Sequence, residues 1–291
     1  MAISWYPGHM RRASRELKGI VRESHAVIEL RDARAPESSS NPTLKPLTKG
    51  LPRMILLTKG DLADPETTKL WQKFIESESK TKCLINDYDN PISARKFLRE
   101  LEALLSDALN VTMQKQIIVT GVPNVGKSTL LNALVGKKVA STGNEPAITR
   151  AQQRIKLAQG WYLIDTPGLL WPKLENQENA QILACLGTIR NTAINIEETG
   201  WFLAELLKRG YPNILKTRYG IEWIPKATEK LYEDIARMTG SLSKKGYADY
   251  HKVSQILLND FRSGRLGRFS LENPQQIKYK FKLYQRFKLK L

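Results

Sequence analysis

Short apolar runs alternate with helical patterns along the first 168 residues of this 291-residue chain. Because Gln159-Gly160 alone separates the last two runs, those two are predicted to form an antiparallel hairpin. The alternation as a whole predicts an α/β fold with a mostly parallel sheet. Six strands are predicted, at 26–31, 53–57, 82–86, 116–120, 153–158 and 161–165. Helices are predicted at 9–24, 65–78, 92–108 and 127–135.

Beyond residue 178 the strand pattern fades. Three segments there, 195–210, 227–240 and 247–264, have apolar residues at helical spacing and end at glycine, which predicts helices. The predicted organisation is an N-terminal arm and helix (1–25) packed on an α/β domain (26–178). An all-α domain (179–291) follows, with a basic tail from about residue 275.

The segment GVPNVGKST at 121–129 matches the phosphate-binding pattern G-x-x-x-x-G-K-[S/T]. It follows a predicted strand and opens a predicted helix, which is the context that the pattern requires. Its glycines, Gly121 and Gly126, let backbone N–H groups surround phosphate oxygens. Lys127 can reach the outer phosphates, and the Ser128 hydroxyl suits Mg²⁺. We therefore predict a site for a nucleoside triphosphate with Mg²⁺.

A second motif, WYLIDTPG at 161–168, completes the predicted phosphate site. Asp165 at a strand end suits indirect Mg²⁺ coordination, and the Gly168 N–H suits the γ-phosphate. A strand-end Asp is also a common cap, but its place downstream of the phosphate loop favours the metal role. Thr149, in the polar loop NEPAITR between the two motifs, is predicted to be a mobile ligand of Mg²⁺ and the γ-phosphate.

The tetrad Thr58-Lys59-Gly60-Asp61 is close to the Asn-Lys-x-Asp motif with which GTPases read guanine. The Asp61 carboxylate can accept hydrogen bonds from the ring N–H and the exocyclic amine of guanine, and a site built on such bonds rejects adenine. The stem of Lys59 can lie along the base plane. The alternative is a plain surface turn, for which Lys-Gly-Asp is common chemistry.

The order of the motifs is unusual, because the tetrad precedes the phosphate loop. Rejoining a chain at new termini preserves a site when the old termini are close, and ligands bind at the carboxyl ends of parallel strands. A permuted GTPase order uses all six predicted strands. It leads us to expect strand 53–57 beside strand 116–120, so that both motifs share one nucleotide.

The positive net charge of the chain predicts a polyanionic partner. The formal net charge is +17, and residues 179–291 carry 20 lysines and arginines against 10 aspartates and glutamates. Such an excess favours nucleic acid or an anionic membrane as the partner. In the tail, four aromatic residues (Tyr279, Phe281, Tyr284 and Phe287) interleave with basic ones, which suits base stacking; a solvated charged tail is the alternative.

Hydrophobic runs, the N-terminus and the cysteines further limit the classes of protein to which the chain can belong. No apolar run of about 18 residues is present, so no transmembrane helix is expected. The N-terminus lacks an apolar signal core, so its first residues are expected to belong to the mature protein. Cys83 and Cys185 match no metal or redox spacing, which predicts a cytoplasmic protein with two core cysteines and no disulfide partner.

Together these motifs resemble the circularly permuted GTPase family, most closely its bacterial ribosome-biogenesis members. The resemblance spans nearly the whole chain: WYPGHM at the start, ELRDARAP at 29–36, the tetrad, GVPNVGKST, PAIT, DTPGLLWPK, and the helical region up to GRLGRFSLE. It implies a GTP/GDP-binding protein that hydrolyses GTP slowly alone and acts in late maturation of the large ribosomal subunit. It also implies a C-terminal domain similar to an RNA-binding antitermination-regulator fold, with the subunit and its rRNA as partners.

The resemblance also suggests residue roles. His9 in WYPGHM would orient the attacking water, because Leu169 and Leu170 stand where many GTPases place a glutamine. Asn124 would help ligate K⁺, and Asn86 would cushion the base. For Asp32 and Arg34 in DARAP, a strand-end turn contact is the favoured role. The nucleotide set is Thr58, Lys59, Asp61, Asn86, Asn124, Val125, Gly126, Lys127, Ser128, Thr129 and Gly168.

Several positions depart from the family pattern. Thr58 stands where the tetrad usually has Asn, which predicts a weaker link between base site and phosphate loop. Ala147 replaces a usual Gly before Thr149, and the loop NDYDN after residue 85 matches only loosely.

The leading interpretation is a ribosome-activated GTPase, monomeric off the ribosome. The alternatives are a GTP-gated RNA-binding checkpoint with negligible intrinsic hydrolysis, or a basic P-loop GTPase acting on tRNA or at the membrane surface.

Overall fold

The computed structural model describes residues 3, 5–106, 114–140 and 153–276, and the chain divides into two compact units. One unit contains Tyr6–Trp171 together with the segment that begins at Ser270. The other contains Pro172–Phe269 with the N-terminal residues up to Trp5. The sequence placed a boundary at 178 and assigned everything after it to the helical domain; that functional division stays a prediction.

The first unit contains a six-stranded sheet, which confirms the predicted fold class. Strand β5 pairs antiparallel with β6, as the hairpin prediction required, and the other pairings are parallel. The strands are β1 (Ala26–Asp32), β2 (Arg53–Thr58), β3 (Thr81–Asn86), β4 (Lys115–Gly121), β5 (Gln153–Ala158) and β6 (Trp161–Asp165), in the order β3-β2-β1-β4-β6-β5.

This order corrects one expectation. Strand β1 lies between β2 and β4, so the tetrad strand is not the immediate neighbour of the phosphate-loop strand. Sequence order does not determine spatial neighbours in a parallel sheet, and nearly all residues of β1 are buried, as a central strand requires. The tetrad and the phosphate loop still leave the sheet at the same edge, since β2, β1 and β4 run parallel.

The described helices of the first unit lie close to the predicted positions, except for the short α2, which was not predicted. They are α1 (Gly8–Arg22), α2 (Leu44–Leu47), α3 (Pro65–Glu76), α4 (Ala94–Leu104) and α5 (Lys127–Val135). Helix α3 begins where Asp64 accepts a hydrogen bond from Thr67 N at 2.7 Å, with Pro65 as the first helical residue, a favourable N-terminal arrangement. The predicted 92–108 helix starts later, because Ser93 caps it.

Buried side chains of β2 and α3 take part in one hydrophobic cluster. Trp71 is fully buried there, and the ring of Phe74 meets its indole edge-on at 5.5 Å between centroids. Cys83 belongs to this cluster and, like Cys185 in the other unit, is buried. This packing fixes β2, from whose end the tetrad projects.

The second unit is helical: α6 (Gln177–Cys185), α7 (Ile196–Gly210), α8 (Pro212–Tyr219), α9 (Thr228–Thr239) and α10 (Tyr250–Ser263). Helices α7, α9 and α10 were predicted, whereas α6 and α8 were not. Arg262 of α10 donates to the carbonyl oxygens of Ala184 (2.7 Å) and Cys185 (2.9 Å) at the end of α6. Asp260, also on α10, accepts from Arg218 Nε at 2.8 Å.

Within the described ranges, no helix combines the length and the apolar character that crossing a membrane requires.

Candidate nucleotide-binding site

The phosphate loop connects β4 directly to α5, as the motif requires. It turns through two residues in the left-handed region, Asn124 with φ 59° and Gly126 with φ 97°. Glycine adopts this region without strain and asparagine tolerates it better than most residues. The turn ends at Lys127, the first residue of α5, so the N-terminal N–H groups of that helix face the position where phosphate is predicted. Val125, Ser128 and Thr129 lie in this same segment.

Lys127 and Asp165 form a buried ion pair across the phosphate site. Burial lowers the pKa of Lys127 and raises the pKa of Asp165, while their mutual attraction opposes both shifts. The second carboxylate oxygen of Asp165, Oδ2, is buried without a hydrogen-bond partner among the described residues. A buried carboxylate oxygen left unpaired is costly, so this side chain is suited to interact with a further donor or cation.

The loop after β6 is fastened to the phosphate loop. Thr166 donates its backbone N–H (3.2 Å) and its hydroxyl (3.0 Å) to the carbonyl of Val119, and Leu169 N donates to Gly121 O at 3.0 Å. A Cβ built on Gly168 would lie 2.9 Å from Pro123 Cα. Only glycine therefore fits at 168 without moving the phosphate loop.

Thr58 bridges the tetrad to the phosphate loop. Its buried hydroxyl lies 2.6 Å from the carbonyl oxygen of Val125 and 3.1 Å from that of Arg31. The sequence led us to expect that threonine would weaken this link. The structure shows a short direct hydrogen bond at this position, so Thr58 does bridge the base motif and the phosphate loop; that the link is weaker than one made by Asn stays a prediction.

Lys59 has a partner that the sequence did not identify. Its Nζ lies 2.9 Å from Asp32 Oδ2, and Asp32 is also held by Arg34 through Nε (2.9 Å) and Nη2 (2.8 Å). The predicted Asp32–Arg34 turn contact is therefore present. Burial alone raises the pKa of Asp32, but the charges and hydrogen bonds of Arg34 and Lys59 outweigh it and hold the pKa far below its usual range.

Asp61 and Asn86 border the same edge of the sheet. Asp61 Oδ1 accepts from Tyr88 N at 2.8 Å, which positions the carboxylate beside the loop after β3. Asn86 is the register partner of Thr58, and its Oδ1 accepts from Ile92 N at 3.0 Å. Asn86 thus shapes the loop beside the predicted base position.

Two predicted catalytic positions are less completely described. His9 lies in the first turn of α1, with its side chain outside the described residues. Thr149, like Ala147, also lies outside them. The remaining predicted residues gather at the carboxyl ends of β2, β3, β4 and β6.

A six-stranded sheet with the guanine tetrad after β2, the phosphate loop after β4 and the Asp-Thr-Pro-Gly loop after β6 defines a circularly permuted P-loop GTPase. Comparison with known proteins agrees with this class. A family model described as 50S ribosome-binding GTPase matches residues 116–199.

Ribosome biogenesis GTPase A of Bacillus pumilus is 35% identical over 282 residues, covering 94% of this chain and 100% of the relative. The Thermotoga maritima protein of the same name is 33% identical over 275 residues, covering 94% and 96%. The GNP-bound crystal structure of YlqF from T. maritima superposes with a TM-score of 0.63 at 28% identity, covering 90% of this chain and 98% of that one. The chain belongs to the ribosome biogenesis GTPase A family, and its enzymatic activity is that of a GTPase.

Proposed function

We propose that this GTPase acts in late assembly of the large ribosomal subunit and that the ribosome stimulates its GTP hydrolysis. The observation that carries the nucleotide site of this proposal is the hydrogen bond between Thr58 and Val125, which joins the tetrad to the phosphate loop at 2.6 Å. This bond links two motifs that are 67 positions apart in sequence, which supports a shared nucleotide. Relatives covered over nearly their full length carry the ribosome biogenesis name.

Phosphate binding requires Lys127 to exchange partners. Its ammonium group is buried against Asp165, and an arriving triphosphate offers it more negative charge than one carboxylate does. When Lys127 turns to the phosphate oxygens, Asp165 loses its counterion. The bound nucleotide must therefore bring a cation for Asp165, because an unpaired buried carboxylate is strongly disfavoured.

Mg²⁺ fits that requirement. Asp165 presents a buried Oδ2 that has no hydrogen-bond partner within the described ranges, and Ser128 follows Lys127 in the first turn of α5; oxygen ligands of this type suit Mg²⁺. We assign Ser128 and Asp165 to the ion, with Thr149 as the further ligand. When bound, Mg²⁺ neutralises charge on the β- and γ-phosphates.

Guanine recognition is assigned to Asp61. Its carboxylate is oriented by Tyr88 N and retains acceptor capacity for the ring N–H and exocyclic amine of guanine. Asn86, which holds the adjoining loop, supports this arrangement from β3.

The attacking water must be oriented and polarised by a group other than the two residues after Gly168. Leu169 and Leu170 are both buried and apolar, and neither can polarise water. We assign that role to His9 and assign K⁺ ligation to Asn124, whose left-handed backbone lies within the phosphate loop. A cation at that position would stabilise negative charge in the transition state. His9→Ala should lower turnover with little effect on GDP affinity.

The γ-phosphate also offers a route to conformational control. The loop after β6 continues without regular secondary structure from Gly168 to α6 at Gln177. A GTP analogue that orders Gly168 should slow backbone hydrogen exchange over 168–180 relative to GDP, as γ-phosphate contacts do in other switches. Equal exchange with the two nucleotides would contradict this coupling.

The basic helical region and tail are proposed to contact rRNA, since phosphate contacts dominate such binding and weaken steeply with salt. Co-sedimentation with large subunits should be stronger with a non-hydrolysable GTP analogue than with GDP, and large subunits should raise GTP turnover. Nucleotide-dependent binding without any rise in turnover would indicate a GTP-gated checkpoint instead. Preference for tRNA or anionic vesicles over the subunit would overturn the ribosomal assignment.

A further inference from the structure

We propose that Asp32 is a positioning residue for binding of the purine base, acting through Lys59. The residue belongs to the DARAP segment, for which the sequence favoured a strand-end turn contact. This inference rests on the proposed nucleotide site, and it concerns the side chain that fixes Lys59 beside the base.

The Lys59 side chain needs a fixed partner in order to stay ordered. The backbone φ of 57° places Lys59 in the left-handed region, which costs energy for a residue with a long side chain. The side chain is one quarter exposed, so without a fixed partner its ammonium group would move through solvent. A mobile lysine stem loses entropy when it orders along a base.

Asp32 supplies that partner in a fixed orientation. The two residues leave neighbouring parallel strands in register, because Asp32 of β1 pairs with Thr58 of β2. Asp32 is almost fully buried, so its charge is poorly screened. Its Oδ2 receives Lys59 Nζ at 2.9 Å.

Arg34 makes the carboxylate rigid. Its guanidinium binds both oxygens of Asp32, at 2.9 Å through Nε and 2.8 Å through Nη2, and the Arg34 backbone N–H adds a third contact at 3.1 Å. Paired contacts of this kind fix a carboxylate in direction as well as in place. With Arg34 on one side, Asp32 Oδ2 keeps one direction open, and Lys59 occupies it.

The consequence is that Lys59 is ordered before nucleotide arrives. Preorganisation of this kind raises affinity without adding a contact to the ligand. It should act on any purine that stacks on the stem of Lys59, and it should not alter the choice that Asp61 makes between guanine and other bases.

The test compares GDP affinity, by displacement of a fluorescent GDP analogue, in four proteins: wild type, Asp32→Asn, Lys59→Met and the double variant. Asp32→Asn keeps the shape and removes the charge, and Lys59→Met keeps an apolar stem. Each single change should weaken GDP binding about tenfold, and the double variant should be no weaker than Lys59→Met alone, since contacting residues couple at this scale. Effects that multiply instead would show that Asp32 does not act through Lys59.

A matched control separates positioning from folding. Glu29 is a buried carboxylate on the same strand, and its Oε2 is paired with Arg31 at 2.7 Å and Arg53 at 3.0 Å. Its Oε1 accepts from Asn41 N at 3.0 Å, a bond that the carbonyl oxygen of glutamine keeps. Glu29→Gln should lower the thermal midpoint about as much as Asp32→Asn does, while GDP affinity stays within about twofold of wild type. If both variants weaken GDP binding equally, Asp32 is only a structural residue and the inference fails.

IDP, which lacks the exocyclic amine of GDP, provides a second readout. Asp32→Asn should reduce GDP and IDP affinity by the same factor, whereas Asp61→Ala should reduce GDP affinity more than IDP affinity. A selective loss of GDP in Asp32→Asn would overturn the inference. Failure of the wild-type protein to prefer GDP over ADP would instead overturn the proposed guanine site itself.

Discussion

Replacing Thr58 with valine tests the link on which the shared nucleotide site depends. Valine keeps the branched shape of threonine and exchanges the hydroxyl for a methyl group. The Thr58 hydroxyl lies within hydrogen-bonding distance of the carbonyl oxygens of Val125 and Arg31. Its single proton serves one acceptor at a time, and the 2.6 Å distance favours Val125.

The expected cost follows from that geometry. A hydrogen bond of this kind contributes about 1 kcal/mol net, and leaving a buried carbonyl unpaired costs about 1–3 kcal/mol. Because the hydroxyl makes a single hydrogen bond, Thr58→Val should remove about 1–2 kcal/mol from the free energy that holds the tetrad against the phosphate loop. If nucleotide binding requires the tetrad and phosphate loop to be joined, GDP affinity should fall about 5- to 30-fold.

Displacement of a fluorescent GDP analogue measures that affinity, and chemical denaturation with and without GDP measures stability. Thr58→Ser is the matched control, because it keeps the hydroxyl and loses only a methyl group. Serine should retain GDP affinity within a few-fold of wild type. If the valine protein binds GDP as tightly as the serine protein, the bridge makes no contribution to the site and the reasoning is refuted.

Three further predictions concern other parts of the first unit. Asp61→Asn should move nucleotide preference from guanine towards xanthine, whose extra carbonyl needs a donor; competition binding with XDP and GDP checks this. Gly168→Ala should lower GTP turnover by at least about tenfold and should weaken GDP binding as well, because the added Cβ would meet Pro123 Cα at 2.9 Å and displace the phosphate loop. Burial raises the pKa of Glu272 to about 7, against its hydrogen bonds with Ser38. An acid with a raised folded-state pKa favours folding at low pH, so stability should fall between about pH 4.5 and pH 7. Glu272→Gln should remove that pH dependence in denaturation curves.

Sequence reasoning predicted the elements of the sheet well because their signals are local. Each strand appeared as a short β-like run, and the glycine pair of the motif marked the phosphate loop between β4 and α5. Helix α6 was missed because its buried residues, including Leu183 and Ala184, leave no clear polar face. An amphipathic pattern is the main helical signal, and a helix buried on most sides lacks it.

The neighbours within the site were harder to predict. The place of β1 between β2 and β4 depends on which strands pack centrally, and no local pattern encodes that. The pair Asp32–Lys59 spans 27 positions and the pair Thr58–Val125 spans 67. Such contacts follow from strand order and register, so they became visible only once the sheet was known. The sequence did place every strand-end motif on the correct edge.

The segment from Asp32 to Asn41 contacts both the base end and the γ-phosphate end of the proposed nucleotide site. Asp32 holds Lys59 at the base end of the proposed site, and Asn41 Nδ2 donates to Leu169 O at 3.3 Å at the γ-phosphate end. Between them, the Ser39 hydroxyl accepts from Asp32 N at 3.0 Å, so one short buried stretch contacts both ends. Substitutions at its two ends therefore act on one continuous, largely buried backbone segment. If this segment moves as a unit, the effects of Asp32→Asn and Asn41→Ala on GDP affinity should deviate from additivity, which holds for sites without common partners.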